Sequence, residues 1–360
     1  MAALFLLLFP DWRPGGQRFI FRERDGDTFR HQPGFVRPPP GNEILEDFTL
    51  RRDENGFREP ARRADFYPII ALGDSFTEGG PLPWPDVLAE ALDTPVQNLG
   101  WRGFGPLQEA EVMRQYGGPG HDWVLLAYFE GNDLSNIRTA YEHLQTTGAL
   151  NISRQLDPGL TQNPPALVTQ PDGNYLYPLQ HQGGGGTYEL AYISDYLWWL
   201  NGEAGVYQDS RNLALFGQAL ADIRAAAGEA CLAVIYIPTK ERIYFPYADP
   251  AGNRRYVLEN GLTLGLDREG WLSFGEGGPG PVLWDEVASR LDNQRAAIES
   301  RTLAADWHFI DLTPAFLTAA ETDLPLYYTY DSHWNQGGHA LAGRTVADYL
   351  SAVEGCPSDD

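Results

Sequence analysis

Lysine is nearly missing from this chain: Lys240 stands alone beside 25 arginines in 360 residues. We attribute the skew to genome base composition rather than to function. Basic charge as a whole is scarce, with 26 basic residues against 49 acidic ones and a formal net charge of -23. A surface this anionic repels phosphate backbones and acidic lipid, which argues against nucleic acid as a partner and leaves neutral or cationic substrates open. Cysteine occurs twice, as Cys231 inside an apolar run and Cys356 near the terminus, and so suggests neither a zinc site nor a disulfide framework. The apolar opening "MAALFLLLF" is nine residues long, too short to span a bilayer. No basic residue precedes it, and Pro10 and Asp11 follow it instead of a small-residue cleavage site. Two readings stay open for it: the end of an export or anchor segment lying upstream, or a buried first strand. The cell envelope or the extracellular space is favoured over the cytoplasm, and the oligomeric state is not legible.

What the chain does have is core material. It is 43% hydrophobic and 12% aromatic, enough for one decorated domain or two. Residues 1–66 are rich in Arg, Pro and Gly and read as an accessory N-terminal segment. From Tyr67 apolar runs alternate with helical periodicity, the sequence form of βαβ units and a parallel sheet. "FYPIIAL", "PVQNLG", "DWVLLAYF", "CLAVIYI" and "WHFIDL" read as five strands. "WPDVLAEAL", "PLQEAEVMRQYG", "RNLALFGQALADIRAAAG", "VLWDEVASRLDNQRAAIES" and a last segment from about Gln336 to Ala352 read as helices. Two irregular stretches, about 134–210 and 244–280, read as insertions, and 353–360 as a tail. The domain is therefore expected over 67–352, as a three-layer α/β/α sandwich whose active edge is the carboxyl end of the sheet.

Ser75 falls on that edge, directly after the first strand in "IIALGDSFTEGG". A serine there can cap a helix, or it can face substrate as a nucleophile if a base takes its proton. Among seven histidines, His333 in "YTYDSHWNQGGHALAG" comes to the same edge. Asp331, two residues earlier, can accept from one imidazole nitrogen while the other faces the serine. His339 lies inside the following helix and reads as a packing or surface residue. Two more strand ends offer oxyanion donors: a backbone N–H at Gly100 in "NLGWRGFG" and the side-chain amide of Asn132 in "YFEGNDLSN", beside the N–H of Ser75.

Taken in order, "GDSFTEGG", "NLGWRGFG", "GND" and "DSHWN" resemble the four blocks of the SGNH (GDSL-type) hydrolases, over about residues 67–352. The resemblance implies a flavodoxin-like five-stranded parallel sheet, Ser75 as nucleophile, His333 and Asp331 as the other triad members, Ser75, Gly100 and Asn132 as the oxyanion hole, and no metal or cofactor. The common last block spaces Asp and His by three, whereas Asp331 and His333 are spaced by two. That shorter form, followed by Trp334, is similar to alginate O-acetyltransferase-like, polysaccharide-modifying members. The expectation is a serine esterase acting on a small acyl ester of a small molecule or carbohydrate. The alternatives are an O-acetyltransferase with the same triad and a non-catalytic carbohydrate-binding module. Lys240, just after the fourth strand, and Trp334 are the candidate substrate contacts, though Lys240 could equally pair with a carboxylate. "YISDYLWWL" offers Trp198 and Trp199 either to a sugar or to the core. "NIS" at Asn151 fits a glycosylation sequon that is also a common tripeptide.

Overall fold

The structure, a computed structural model, describes residues 20–22, 29–31, 52–152, 176–183, 186–193, 196, 199–247, 271–272, 282–322, 325–328, 331–353 and 355. Strands β1 (Ile20–Arg22) and β2 (Phe29–His31) pair antiparallel. The domain then begins with β3 (Ile69–Leu72), the four-residue helix α1 (Ser75–Glu78) and α2 (Trp84–Ala91), which carries a proline in its first turn where no N–H is needed. Next come β4 (Val96–Asn98), α3 (Pro106–Val112) running into a π-turn over Met113–Gly117, and β5 (Trp123–Phe129). Helix α4 (Asp133–Thr147) and the hairpin β6 (Leu176–Gly183) and β7 (Gly186–Ile193) follow. Then stand α5 (Ala204–Gln208), α6 (Arg211–Ala227), β8 (Cys231–Ile237) and α7 (Lys240–Tyr244). Short strands β9 (Trp271–Leu272) and β10 (Val282–Leu283) lead to α8 (Trp284–Arg290), α9 (Asn293–Leu303), β11 (His308–Asp311), α10 (Thr313–Thr322) and α11 (Gln336–Ala352).

Five strands form one all-parallel sheet in the order β11-β8-β5-β3-β4. Ile69 pairs with Val96 on one side and Trp123 on the other, Trp123 pairs with Cys231, and Ala233 with His308. Both faces are covered, so the central strands are apolar throughout rather than alternating with polar residues. Ile69, Ala71, Leu125, Ala127, Ala233 and Ile235 face α2, α10 and α11. Ile70, Leu72, Val124, Leu126, Leu232 and Val234 face α3, α4, α6 and α9. The sandwich is the one expected from the sequence, and β3 stands at the point where strand order reverses, which puts its carboxyl end at the natural crevice. Helices α2 and α11 touch at Gly343, where a Cβ would lie 2.8 Å from the carbonyl oxygen of Trp84.

Three expectations are corrected. The regular rhythm does not stop at residue 134: α4 buries Leu134, Ile137 and Ala140 in the second core and carries regular structure on to Thr147. "VLWDEVASRLDNQRAAIES" is not one helix but breaks between Arg290 and Asn293, near Asp292, whose carboxylate bonds Arg242. Cys231, which in the sequence suggested no disulfide framework, is disulfide-bonded. The other cysteine of the sequence, Cys356, lies outside the described residues, as do the apolar N-terminus, Trp198 and most of the stretch 244–280.

Candidate active site

The turn after β3 places Ser75. Gly73 takes φ +151°, where a Cβ would come within 2.2 Å of Thr77 Oγ1, so the tight exit from the strand requires glycine. Asp74 then caps α1, its Oδ1 accepting the Phe76 N–H at 2.9 Å. The cap is therefore Asp74, and Ser75 is released from the capping role that its sequence position allowed. Its N–H has no acceptor among the described residues.

His333 reaches this serine across 258 residues of chain, with Nε2 2.7 Å from Ser75 Oγ. On the other side of the ring, Nδ1 hydrogen-bonds Asp331 Oδ1, and the same oxygen accepts the His333 backbone N–H at 2.8 Å. The spacing of two thus lets one carboxylate oxygen hold both the ring and the backbone of the histidine. Burial would raise the Asp331 carboxyl, yet the His333 charge, its two hydrogen bonds and the Lys240 ammonium outweigh it and hold the group below the usual carboxylate range. Burial would likewise lower His333, but Asp331 with its hydrogen bond, and then Asp74, raise it, against a smaller opposing pull from Arg102. A hydroxyl, an imidazole and an ionised carboxylate so aligned can draw the proton from Ser75 and keep the resulting imidazolium in place.

The candidate oxyanion groups are less uniformly disposed. Asn132 caps α4 without using its side chain, and its amide lies against the Asp74 carboxyl, favouring the ionised form of that group. Asn132 Oδ1 is buried with no donor among the described residues. The Gly100 N–H donates to Asn98 Oδ1 at 3.0 Å. Asn98, wholly buried, also donates from Nδ2 to Thr77 O at 2.7 Å and so ties the loop after β4 to α1. A Cβ on Gly100 would meet the Glu78 nitrogen at 2.6 Å, which is why this loop can approach α1 closely.

The two candidate substrate contacts are corrected by their burial. Lys240 is 0% exposed, and its ammonium donates to the carbonyls of Asp331 at 2.8 Å and Tyr328 at 3.1 Å. It braces the loop that presents the triad instead of reaching into the cleft, and burial lowers it to about 8, against the opposing charges of Glu241 and Asp331. Trp334 is 1% exposed, edge-on to Phe76 and stacked on Phe316, which makes it part of the core beneath His333. His339 packs as expected, edge-on to Trp334, with burial lowering it to about 3.

Several residues that shape the site were not among the site residues the sequence offered. Arg58, from the accessory segment, donates to the carbonyls of Glu78, Gly80 and Pro81 at 3.1, 2.6 and 2.9 Å and clamps the exit of α1. Glu109 is fully buried with no donor to either carboxyl oxygen among the described residues, and burial followed by the nearby Asp74 charge pushes it far up. Asp133 is pushed far up by burial, Glu109 and Asp74, although its Oδ2 accepts the Phe129 N–H at 2.7 Å. An arginine directly following a glycine-tryptophan pair, Arg102, also lies at this edge, its Nε bonded to Glu78 Oε2 at 2.7 Å.

No protein-family model matches the chain, and no curated protein matches it. Among solved structures it is similar to phospholipase A1 from Streptomyces albidoflavus NA297, at 14% identity over 79% of this chain and 98% of that one with a TM-score of 0.42. It is similar to an extracellular lipase from Streptomyces rimosus, at 15% identity over 79% and 99% with a TM-score of 0.41. A carbohydrate esterase family 2 enzyme from Corynascus thermopiles matches at 14% identity over 83% and 69%, with a TM-score of 0.36. Matches this distant do not name the chain, and its likeness to the SGNH hydrolases rests on the four sequence blocks and on the site where their residues meet.

Proposed function

We propose that this chain is a serine esterase of the SGNH type that hydrolyses a small acyl ester through an acyl-serine intermediate. The observation that supports it most is the continuous line from Ser75 Oγ through His333 to Asp331, with 2.7 Å between the hydroxyl and Nε2. In the first half-reaction His333 Nε2 takes the hydroxyl proton as Ser75 Oγ bonds to the ester carbonyl carbon. The carbonyl oxygen becomes an oxyanion, for which the Ser75 N–H and the Asn132 amide, on giving up its contact with the Asp74 carboxyl, would be the donors. The Gly100 N–H joins them only by sharing its proton with Asn98. When the tetrahedral species collapses, His333 returns the proton to the leaving alcohol, and the C–O bond to that alcohol breaks. Water then repeats the sequence in reverse, freeing the acid and restoring Ser75.

The "DSHWN" block is what points to a carbohydrate as the alcohol. Acyl transfer to a sugar would require an acceptor surface beside Ser75, and Lys240 and Trp334, both buried, do not supply one. A binding module with a lapsed site would have no need to hold Asp331 ionised against its own burial. The disulfide at Cys231 suits an oxidising compartment and supports a place in the cell envelope or outside the cell.

Incubation with p-nitrophenyl acetate and with acetylated oligosaccharides, counting acetate released against acetyl groups gained by added sugar, tests the reading. Stoichiometric acetate is expected, and Ser75→Ala is expected to lower kcat by a factor on the order of 10⁶, the size of nucleophile loss in serine triads. Acetylated sugar that takes up most of the donor would establish transfer in place of hydrolysis.

A further inference from the structure

Three arginines surround α1, and they are used differently. Arg58 spends its fork on the carbonyls of Glu78, Gly80 and Pro81. Arg52 places its guanidinium 4.3 Å over the Trp101 ring, donates Nη1 to Gly56 O at 3.0 Å and Nη2 to Glu78 Oε1 at 2.5 Å, and keeps only 9% of its side chain exposed. Arg102 bonds Glu78 through Nε alone, and its two terminal nitrogens have no partner among the described residues. Its side chain is 27% exposed, three times as much as that of Arg52.

Glu78 is buried, one turn of helix after Ser75, and it holds two guanidiniums on one carboxylate. The cluster therefore keeps one net positive charge in a chain of formal charge -23. Holding an arginine by Nε fixes the plane of the guanidinium and turns its outer edge outward, the edge that binds a carboxylate through two parallel hydrogen bonds. Arg102 follows the Gly100 loop that packs on α1, the helix that opens with Ser75, and is near enough to bear electrostatically on His333. The next residue, Gly103, is uncrowded, since a Cβ there would meet nothing within 4 Å.

We propose that Arg102 is a specificity residue that receives a carboxylate on the ester substrate, so that the enzyme prefers esters whose acyl or alcohol part is anionic near the carbonyl. This rests on the esterase reading above. A purely bracing arginine would bury its fork, as Arg58 does, and a surface arginine would not be held by a buried glutamate beside the nucleophile helix. The overall negative charge repels an anionic substrate at long range, so the pocket cation has to supply the attraction locally, over a distance shorter than a Debye length.

Two matched pairs of esters test it: p-nitrophenyl hemisuccinate against p-nitrophenyl butyrate for the acyl side, and 4-acetoxybenzoate against its methyl ester for the alcohol side. The wild type is expected to favour the anionic member of one pair in kcat/KM. Arg102→Gln is expected to lower that anionic-to-neutral ratio by about 10- to 100-fold, the usual worth of a charge-assisted fork, whatever it does to the neutral member. Arg102→Lys, which keeps charge but loses the fork, should fall between them and guards against a fold defect in the glutamine variant. A ratio unchanged by both substitutions in both pairs overturns the proposal. Titration of Ser75→Ala with 4-acetoxybenzoate separates the two readings. Binding that Arg102→Gln abolishes in the Ser75→Ala background, when the wild type turns over none of the four esters, would refute the esterase and leave Arg102 as an anion receptor. Absence of binding together with absence of preference would refute Arg102.

Discussion

The two aspartates that flank the Ser75–His333 pair live under opposite electrical conditions. Asp331 receives the His333 ring and backbone N–H and lies near the Lys240 ammonium, and it stays ionised in spite of burial. Asp74 is raised to about 6 by burial, which the Phe76 N–H, His333 and Asn132 only partly offset. Beneath it, Glu109 and Asp133 are pushed up as well, and Asp74 Oδ2, Asp133 Oδ1 and both Glu109 oxygens have no hydrogen-bond donor among the described residues. Burial is common to both sides of the serine, so it is the supply of donors that decides which carboxyl keeps its charge. The side that must stabilise an imidazolium is the supplied one. On the floor under α1 three acids compete, and protons have to stay on some of them.

The comparison breaks first at Asp331. Asp331→Asn should lower kcat by up to about 10⁴ by favouring the wrong imidazole tautomer, while Asp74→Asn, which can still accept from Phe76, should change kcat far less. Equal losses in steady-state kinetics would mean that the two acids share one role. Asn132→Ala should lower kcat by roughly 10² to 10³ with little change in KM if the amide serves the oxyanion. A fall in thermal stability with unchanged kcat would make Asn132 a helix-start residue alone.

Stability against pH sharpens the contrast further. A raised folded-state value, about 6 for Asp74, means that the folded form holds its proton more tightly than the unfolded chain. Relative to Asp74→Asn, the wild type should therefore lose stability as pH rises from the ordinary aspartate range to about 6, by an amount on the order of 3 kcal/mol, and stay level above it. Asp331, whose folded value is depressed, should show the reverse, contributing stability above the ordinary range and losing it as pH falls through its folded value. Denaturant midpoints of the two asparagine variants between pH 3 and 8 read both slopes. The smallest effect is kinetic: with His333 raised above the ordinary histidine value, the acid limb of kcat/KM should lie above that value and move down in Asp331→Asn.

The strands and most helices were legible because parallel strands buried on both faces leave apolar runs that need no partner to be recognised, as "CLAVIYI" does at Cys231–Ile237. That Ser75, Asp331 and His333 would meet was legible for another reason: a glycine at a strand exit and a two-residue spacing are local features, and the fold had only to bring them together. What could not be read were polar residues whose partners are carbonyls distant in sequence. Lys240 looked like a substrate contact because nothing local shows that Asp331 O and Tyr328 O would meet its ammonium. Trp334 was a candidate substrate contact for want of any sign of Phe316 and Phe76 around it. Helix α4 was missed because its buried positions, Leu134, Ile137 and Ala140, are few among polar neighbours.

The central claim is that Ser75 carries the acyl group. Brief exposure to p-nitrophenyl acetate, acid quench and peptide mass spectrometry tests it most directly. An acetyl adduct should appear on the peptide containing Ser75, accumulate with the burst of p-nitrophenol, decay as acetate is released, and be absent from Ser75→Ala and from His333→Ala. Continued p-nitrophenol release with no adduct on that peptide, or with the adduct on another residue, would contradict the account.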